Sequence, residues 1–246
     1  MADVNPGPES GGVDTRVAPG SEPPVWPYIL PLGGFLAMTA LEGQLPTAPG
    51  GGPNPTWFPA LYALKLAVVS VLLWVCRGIF RDLRPRPTPG GAALAIGLGL
   101  AVTAAWVGLD GYYPEIPWLG GKRTAFDPTT LAPAARGAFL AVRMFGLVVI
   151  VPLIEELFYR SFLMRWVIDP NFTRVPIGRV TPAALAVTAG VFTLSHPEWL
   201  PALLTGLAWG WLVGRTKSVS ACVLSHAVAN LALGIYVIAY RAWTFW

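Results

Sequence analysis

Charge is scarce in this chain. Of 246 residues only 12% are charged and 54% are hydrophobic, with a mean hydropathy of +0.56. A water-soluble domain of this length carries about twice that charged fraction, so an ordinary globular protein folded in water is excluded. Cysteine is nearly lacking as well. Cys76 and Cys222 each lie inside an apolar run, which gives no disulfide framework and reads as two small buried hydrophobes. Residues 1–25 lack the basic segment and apolar core of a secretory signal. Rich in Gly, Pro and acid, they read as a disordered, solvated tail. The net charge of +4 and pI near 9.3 do not imply a nucleic-acid partner, because the bases collect in short loops at helix ends.

What the chain does have is apolar runs near the ~20 residues that a helix needs to cross the hydrocarbon core. They show helical lengths and few alternating polar positions, against a β-barrel. The expected fold is all-α, a polytopic transmembrane helical bundle of about seven spans. The spans run near Pro27–Leu41, Trp57–Phe80, Ala92–Leu109, Gly137–Arg165, Pro182–His196, Leu200–Gly214 and Val219–Tyr240. The Pro/Gly stretch from Leu45 to Pro59 is a loop. Arg77, Arg81, Arg84 and Arg86 follow the second span; Arg165, Arg174 and Arg179 follow the fourth; Arg215 and Lys217 follow the sixth. By the positive-inside rule these ends are cytoplasmic, with the N-terminus inside. The opposite loops hold Lys122, Arg123 and Arg136, diluted by Asp110, Glu115 and Asp127. Trp26, Trp57, Trp118, Trp166 and Trp243 fit an interfacial belt. Gly206, Gly210 and Gly214, four apart, form a stripe for close helix packing.

Ionisable groups inside a span are costly unless paired or hydrated. The densest set is Glu155-Glu156-Leu-Phe-Tyr-Arg160. Glu156 and Arg160 stand at i,i+4 with acid before base, the favourable order for a helical ion pair. Glu155 then lies about 100° around the helix, able to point elsewhere as a carboxylate base. The bland alternative is a helix-end charge cluster that snorkels to the interface. The two histidines, His196 and His226, lie in or at the end of later spans, and Asn230 shares a helical face with His226. Three spans thus offer one convergent polar site. Lys65, within the second span, is an intramembrane base without an evident role.

Glu155-Glu156-x-x-x-Arg160, Phe192-x-x-x-His196 and His226-x-x-x-Asn230, in that order, resemble the three motifs of the CPBP family, which contains the type II CAAX prenyl endopeptidases. The resemblance covers about Arg143 to Ile238. It divides the chain into the tail, N-terminal transmembrane helices over 26–135, and CPBP-like catalytic helices over 136–246. The context Arg143-x-x-Gly146 through Val151-Pro152 is similar to the bacterial branch associated with exosortases. The resemblance implies a membrane-embedded protease of the bacterial cytoplasmic membrane, acting on a membrane-associated peptide or protein substrate, with an exosortase-type system as a partner. Glu155 would activate water; His196, His226 and Asn230 would orient it or stabilise the oxyanion; Glu156 and Arg160 would support the helix face. The cofactor stays open: Glu155, His196 and His226 could hold zinc with an open fourth position, but not on an H-E-x-x-H helix, and metal-free chemistry is the reading favoured. The rival classes are a proton- or ion-coupled transporter, which would show paired repeats and broken helices, and a scaffold or immunity-type binder. One tension accompanies the site: His196 falls near the outer end of its span, whereas Glu155 and His226 lie deeper. At ~1.5 Å per residue the mismatch could exceed 10 Å.

The arginine distribution predicts that reporter fusions after Arg84, Arg179 and Lys217 all report a cytoplasmic location. A periplasmic signal at two of the three sites overturns the topology.

Overall fold

The computed structural model describes residues 24–49, 51–119 and 125–245. The expected tail therefore falls outside the described residues up to position 23, as do Lys122 and Arg123. Among the described residues the regular structure is helical, apart from one isolated bridge between Ala48 and Gly52 in the expected Pro/Gly loop. The main helices are α1 (Trp26–Glu42), α2 (Phe58–Val75), α3 (Pro89–Gly108), α4 (Pro133–Trp166), α5 (Pro182–Leu194), α6 (Trp199–Thr216) and α7 (Val219–Tyr240). They occupy the segments read as spans. Four of them, α2, α3, α4 and α7, are long and apolar enough to cross a membrane; α5 is a shorter apolar helix of 13 residues.

Proline marks where these helices begin. Pro27, Pro59, Pro89, Pro133 and Pro182 each sit in a first turn, where the missing N–H has no intrahelical partner to lose. Thr88 and Thr181 add side-chain caps, accepting from the backbone N–H of Gly91 (3.1 Å) and Ala184 (3.2 Å). Two boundaries differ from expectation. The second span ends at Val75 and continues as a tighter 3₁₀ helix, Arg77–Leu83. The fifth stops at Leu194, so Ser195 and His196 lie in the exit turn rather than on the helix.

The longest helix, α4, is not uniform. It widens into π-helical turns at Gly146–Ile150 and Leu157–Leu163, on either side of Val151–Glu156. Pro152 gives a physical reason for the first: its ring clashes with the preceding turn and it donates no hydrogen bond, and a wider turn relieves both. The glycine stripe of α6 packs as expected. A Cβ on Gly206 would meet Ala189 Cα at 2.9 Å, Gly210 faces Leu185, and Gly214 faces Val180. Helices α5 and α6 thus lie backbone to backbone. Cys76 and Cys222 are both buried free thiols.

Arg165 corrects one detail of the sequence reading. It is no loop base but is 5% exposed, its Nη2 donating to Asp82 Oδ2 at 2.6 Å. The same oxygen accepts from Ser161 Oγ (2.6 Å) and Tyr28 Oη (2.7 Å). Asp82, on the 3₁₀ turn after α2, thereby ties α1 and α2 to the end of α4. Asp82→Asn should cost roughly 3–5 kcal/mol, the penalty for stranding one partner of a buried pair, read as a large fall in Tm in detergent. Arg81→Gln alters a side chain that is 70% exposed and should leave Tm unchanged; equal effects of the two would remove the clamp.

Candidate active site

Glu155 and Glu156 sit side by side between the two π-helical turns of α4, and both are buried. Their surroundings differ as the helical offset predicts. Glu156 Oε2 lies 3.3 Å from Arg160 Nε, with both side chains 0% exposed. Its other oxygen, Oε1, meets His226 Nδ1 of α7 at 3.0 Å. Arg160 is boxed by the rings of Tyr159, Phe192 and Trp209, at 5.5, 5.3 and 5.6 Å from the guanidinium, a desolvated setting in which ring faces favour a cation. Its Nη2 also reaches the Gly206 carbonyl at 3.5 Å.

Glu155 instead lines a cavity of about 760 Å³, together with His196, His226 and Asn230. The four residues named from sequence thus share one chamber, while Glu156 and Arg160 stand behind its wall. The exit turn of α5 brings His196 to this chamber. A run of rings links the two imidazoles. His196 lies 4.4 Å from Phe192, Phe192 5.9 Å from Trp209, and Trp209 stacks on His226 at 4.3 Å and 28°.

Hydrogen bonds orient three of these polar groups. His226 Nδ1 facing a carboxylate is the protonated nitrogen, so in the neutral ring Nε2 carries the lone pair. His196 Nδ1 faces the Phe192 carbonyl at 2.8 Å, which selects the same tautomer. Ser195 Oγ, bonded to Phe192 O (2.7 Å), lies 3.1 Å from that Nδ1 and 3.2 Å from Tyr159 Oη. Asn230 Nδ2 donates to the Leu147 carbonyl at 2.7 Å. A carbonyl can only accept, so this bond fixes the amide's orientation. Leu147 lies in the first π-helical turn, where the altered backbone pairing leaves a carbonyl able to receive it.

Sequence reasoning missed Trp209, which stacks on His226, lies near Arg160, and donates to Ser225 Oγ at 3.0 Å. A signal existed: Trp209 lies in mid-helix, away from the interfacial positions that tryptophan favours. It also missed Trp106 of α3, which meets His196 edge-on at 5.8 Å and bonds Thr205 Oγ1 at 3.1 Å. The family motifs lie C-terminal to α3, and no local pattern announces that tryptophan.

An acid, two imidazoles and a carboxamide line one chamber inside a bundle of apolar helices, which is the class of a polytopic membrane protein with a polar candidate site. Residues 137–232 match the family described as type II CAAX prenyl endopeptidase Rce1-like, a segment that contains all six named residues. That match supports a membrane protease of the CAAX/CPBP kind over this segment. No curated protein and no solved structure matches it. The match begins one turn into α4 and leaves α1 to α3 outside, although they wall the same chamber.

The donor set does not fit a protein-held zinc. Among the described residues no three His, Cys, Asp or Glu side chains gather closely enough to hold a metal ion. Glu156→Gln removes the charge shared by Arg160 and His226. It should lower Tm by an amount corresponding to roughly 3–5 kcal/mol, as for a buried ion pair that loses one partner. A variant with wild-type Tm would show that Glu156 does not hold these two elements together.

Proposed function

We propose that this membrane protease cuts its peptide with a water activated by Glu155. The observation that supports this reading is the division of labour between the two adjacent acids: Glu155 faces the chamber with His196, His226 and Asn230, whereas Glu156 is spent on Arg160 and His226. Glu155 accepts a proton as the water oxygen attacks the peptide carbonyl carbon. The resulting tetrahedral intermediate collapses when Glu155 returns that proton to the leaving nitrogen, so one water is consumed and the base is regenerated. One lone pair among His196 Nε2, His226 Nε2 and the Asn230 oxygen accepts the water's second hydrogen and orients it. The second N–H of Asn230, or a protonated imidazole, stabilises the oxyanion. Glu156 and Arg160 are positioning residues that hold α4 against α7.

The substrate in this reading is a membrane-associated peptide or protein. Residues 136–246 supply the catalytic helices and residues 26–135 the helices that enclose the chamber. The arginine pattern supports a cytoplasmic N-terminus in a bacterial inner membrane. Arg143-x-x-Gly146 and Val151-Pro152 support the exosortase-associated branch.

Glu155→Gln keeps the side-chain size and removes only the proton acceptor. Purified variant and wild type, incubated with co-expressed membrane proteins, should differ in cleavage by roughly two orders of magnitude or more, at equal Tm. Cleavage by the variant near the wild-type rate removes Glu155 from the mechanism.

A further inference from the structure

The helices do not contribute evenly to the chamber. Its lining falls at 32–42 of α1, 58–65 of α2, 102–106 of α3, 192–197 at the end of α5, 205–209 of α6 and 226–233 of α7. Helices that cross a bilayer in alternating directions place these stretches toward one side. Positions between 43 and 57, joining α1 to α2, and Phe245 beyond α7 complete the rim there. No described residue from 66 to 101, from 160 to 191 or from 210 to 225 lines the chamber. Those three stretches contain the connections α2–α3, α4–α5 and α6–α7, where the arginines collect.

On the arginine side the bundle is packed shut. Tyr28, Cys76, Ile79, Leu157, Phe162 and Phe172 are buried in one apolar cluster, held by the bonds of Tyr28, Ser161 and Arg165 to Asp82. The connection after α2 is also laced to the start of α7: Ser218 Oγ donates to Pro85 O at 2.7 Å and Ser220 Oγ to Leu83 O. A peptide arriving from that side would have to part this layer and strand the buried Asp82–Arg165 pair, which is costly. One arriving at the rim meets only loops and helix ends. We propose that the peptide enters the chamber from the rim opposite the arginine-rich connections, which the positive-inside rule makes the non-cytoplasmic face. The substrate is then a segment exposed on that face of the membrane, and its translocation must precede the cut. The entry side belongs to the chamber itself; only the cut rests on the endopeptidase reading.

The test reads access, so turnover plays no part in it. Val151 lines the chamber one turn before Glu155, and Val151→Cys places a thiol there in the full chain. The probe is 2-(trimethylammonium)ethyl methanethiosulfonate, a fixed cation that reacts with thiols. It is applied to spheroplasts, which present the outer face, and to inside-out vesicles, which present the cytoplasmic face. The wild-type chain, whose Cys76 and Cys222 are buried, sets the background. Arg81→Cys, at a side chain that is 70% exposed, reports the arginine side. Val151→Cys should react at least about ten-fold faster in spheroplasts, because a fixed charge crosses lipid and a packed apolar layer poorly. Arg81→Cys should show the reverse preference. Should Val151→Cys fail to fold, Thr103→Cys on α3, another lining position, carries the same expectation. A chamber thiol that reacts faster in vesicles, equally in both, or in neither overturns the proposal. So does an Arg81→Cys protein that reacts in spheroplasts. None of these results touches the endopeptidase reading, which the Glu155→Gln cleavage assay decides alone.

Discussion

A fully buried carboxylate in an apolar bundle is the constraint from which the rest follows. Glu156 has no access to water, and an ionised group there is tolerated only with partners. It has two, Arg160 on its own helix and His226 on α7. Arg160 in turn needs surroundings that accept a desolvated cation, and the rings of Tyr159, Phe192 and Trp209 provide them. Three helices, α4, α6 and α7, and the end of α5 are thereby fixed around one charge. The protonated nitrogen of His226 is fixed too, so its other nitrogen has a defined character in the chamber. The adjacent Glu155 inherits its position from this arrangement, because a helix that locks residue 156 also locks the direction of residue 155.

The backbone irregularities of α4 work in the same direction. In a regular helix each carbonyl already accepts an intrahelical bond and is largely shielded from a neighbour. The widened turn before Pro152 lets the Leu147 carbonyl take the Asn230 amide, so a proline that weakens the helix internally becomes a cross-link to α7. Asn230 is then held by backbone rather than by another side chain. The second widened turn begins directly after Glu156 and includes Arg160, so the acidic pair sits on the one regular segment between two bulges. Such bulges are frequent at functional sites, and here each has an identifiable structural consequence.

Most of this was legible in the sequence, for physical reasons that also explain what was not. Apolar runs of helical length gave the class and the helices, since lipid permits few alternatives. Rare ionisable residues gave Glu155, Glu156, Arg160, His196 and His226, each conspicuous against an apolar background, and Asn230 followed from its i,i+4 spacing to His226. The Glu156–Arg160 pair followed from i,i+4 spacing, a local relation. The Glu156–His226 bond did not, since seventy positions separate the two in sequence. Nor did Lys65 with Glu42, or Asp82 with Arg165, whose partners lie on other helices. Arg165 looked like a loop base because composition at a helix end does not reveal that a 3₁₀ turn will fold back beneath it. The π-helical turns left only Pro152 as a trace, and a proline does not say which carbonyl will be released or what will claim it.

The end of α5 shows why Ser195 and His196 follow it. Thirteen residues rise about 20 Å, short of the ~30 Å hydrocarbon core, and the last carbonyls of a helix need partners from outside it. The Phe192 carbonyl meets both Ser195 Oγ and His196 Nδ1, and Thr193 Oγ1 bonds back to Ala189 O at 2.8 Å. The groups that close the helix are thus the same groups that bring an imidazole to the chamber in a defined tautomer. A longer, regular helix would have satisfied these carbonyls internally and left His196 on the helix; ending it at Leu194 lets the need to cap that end hold the imidazole.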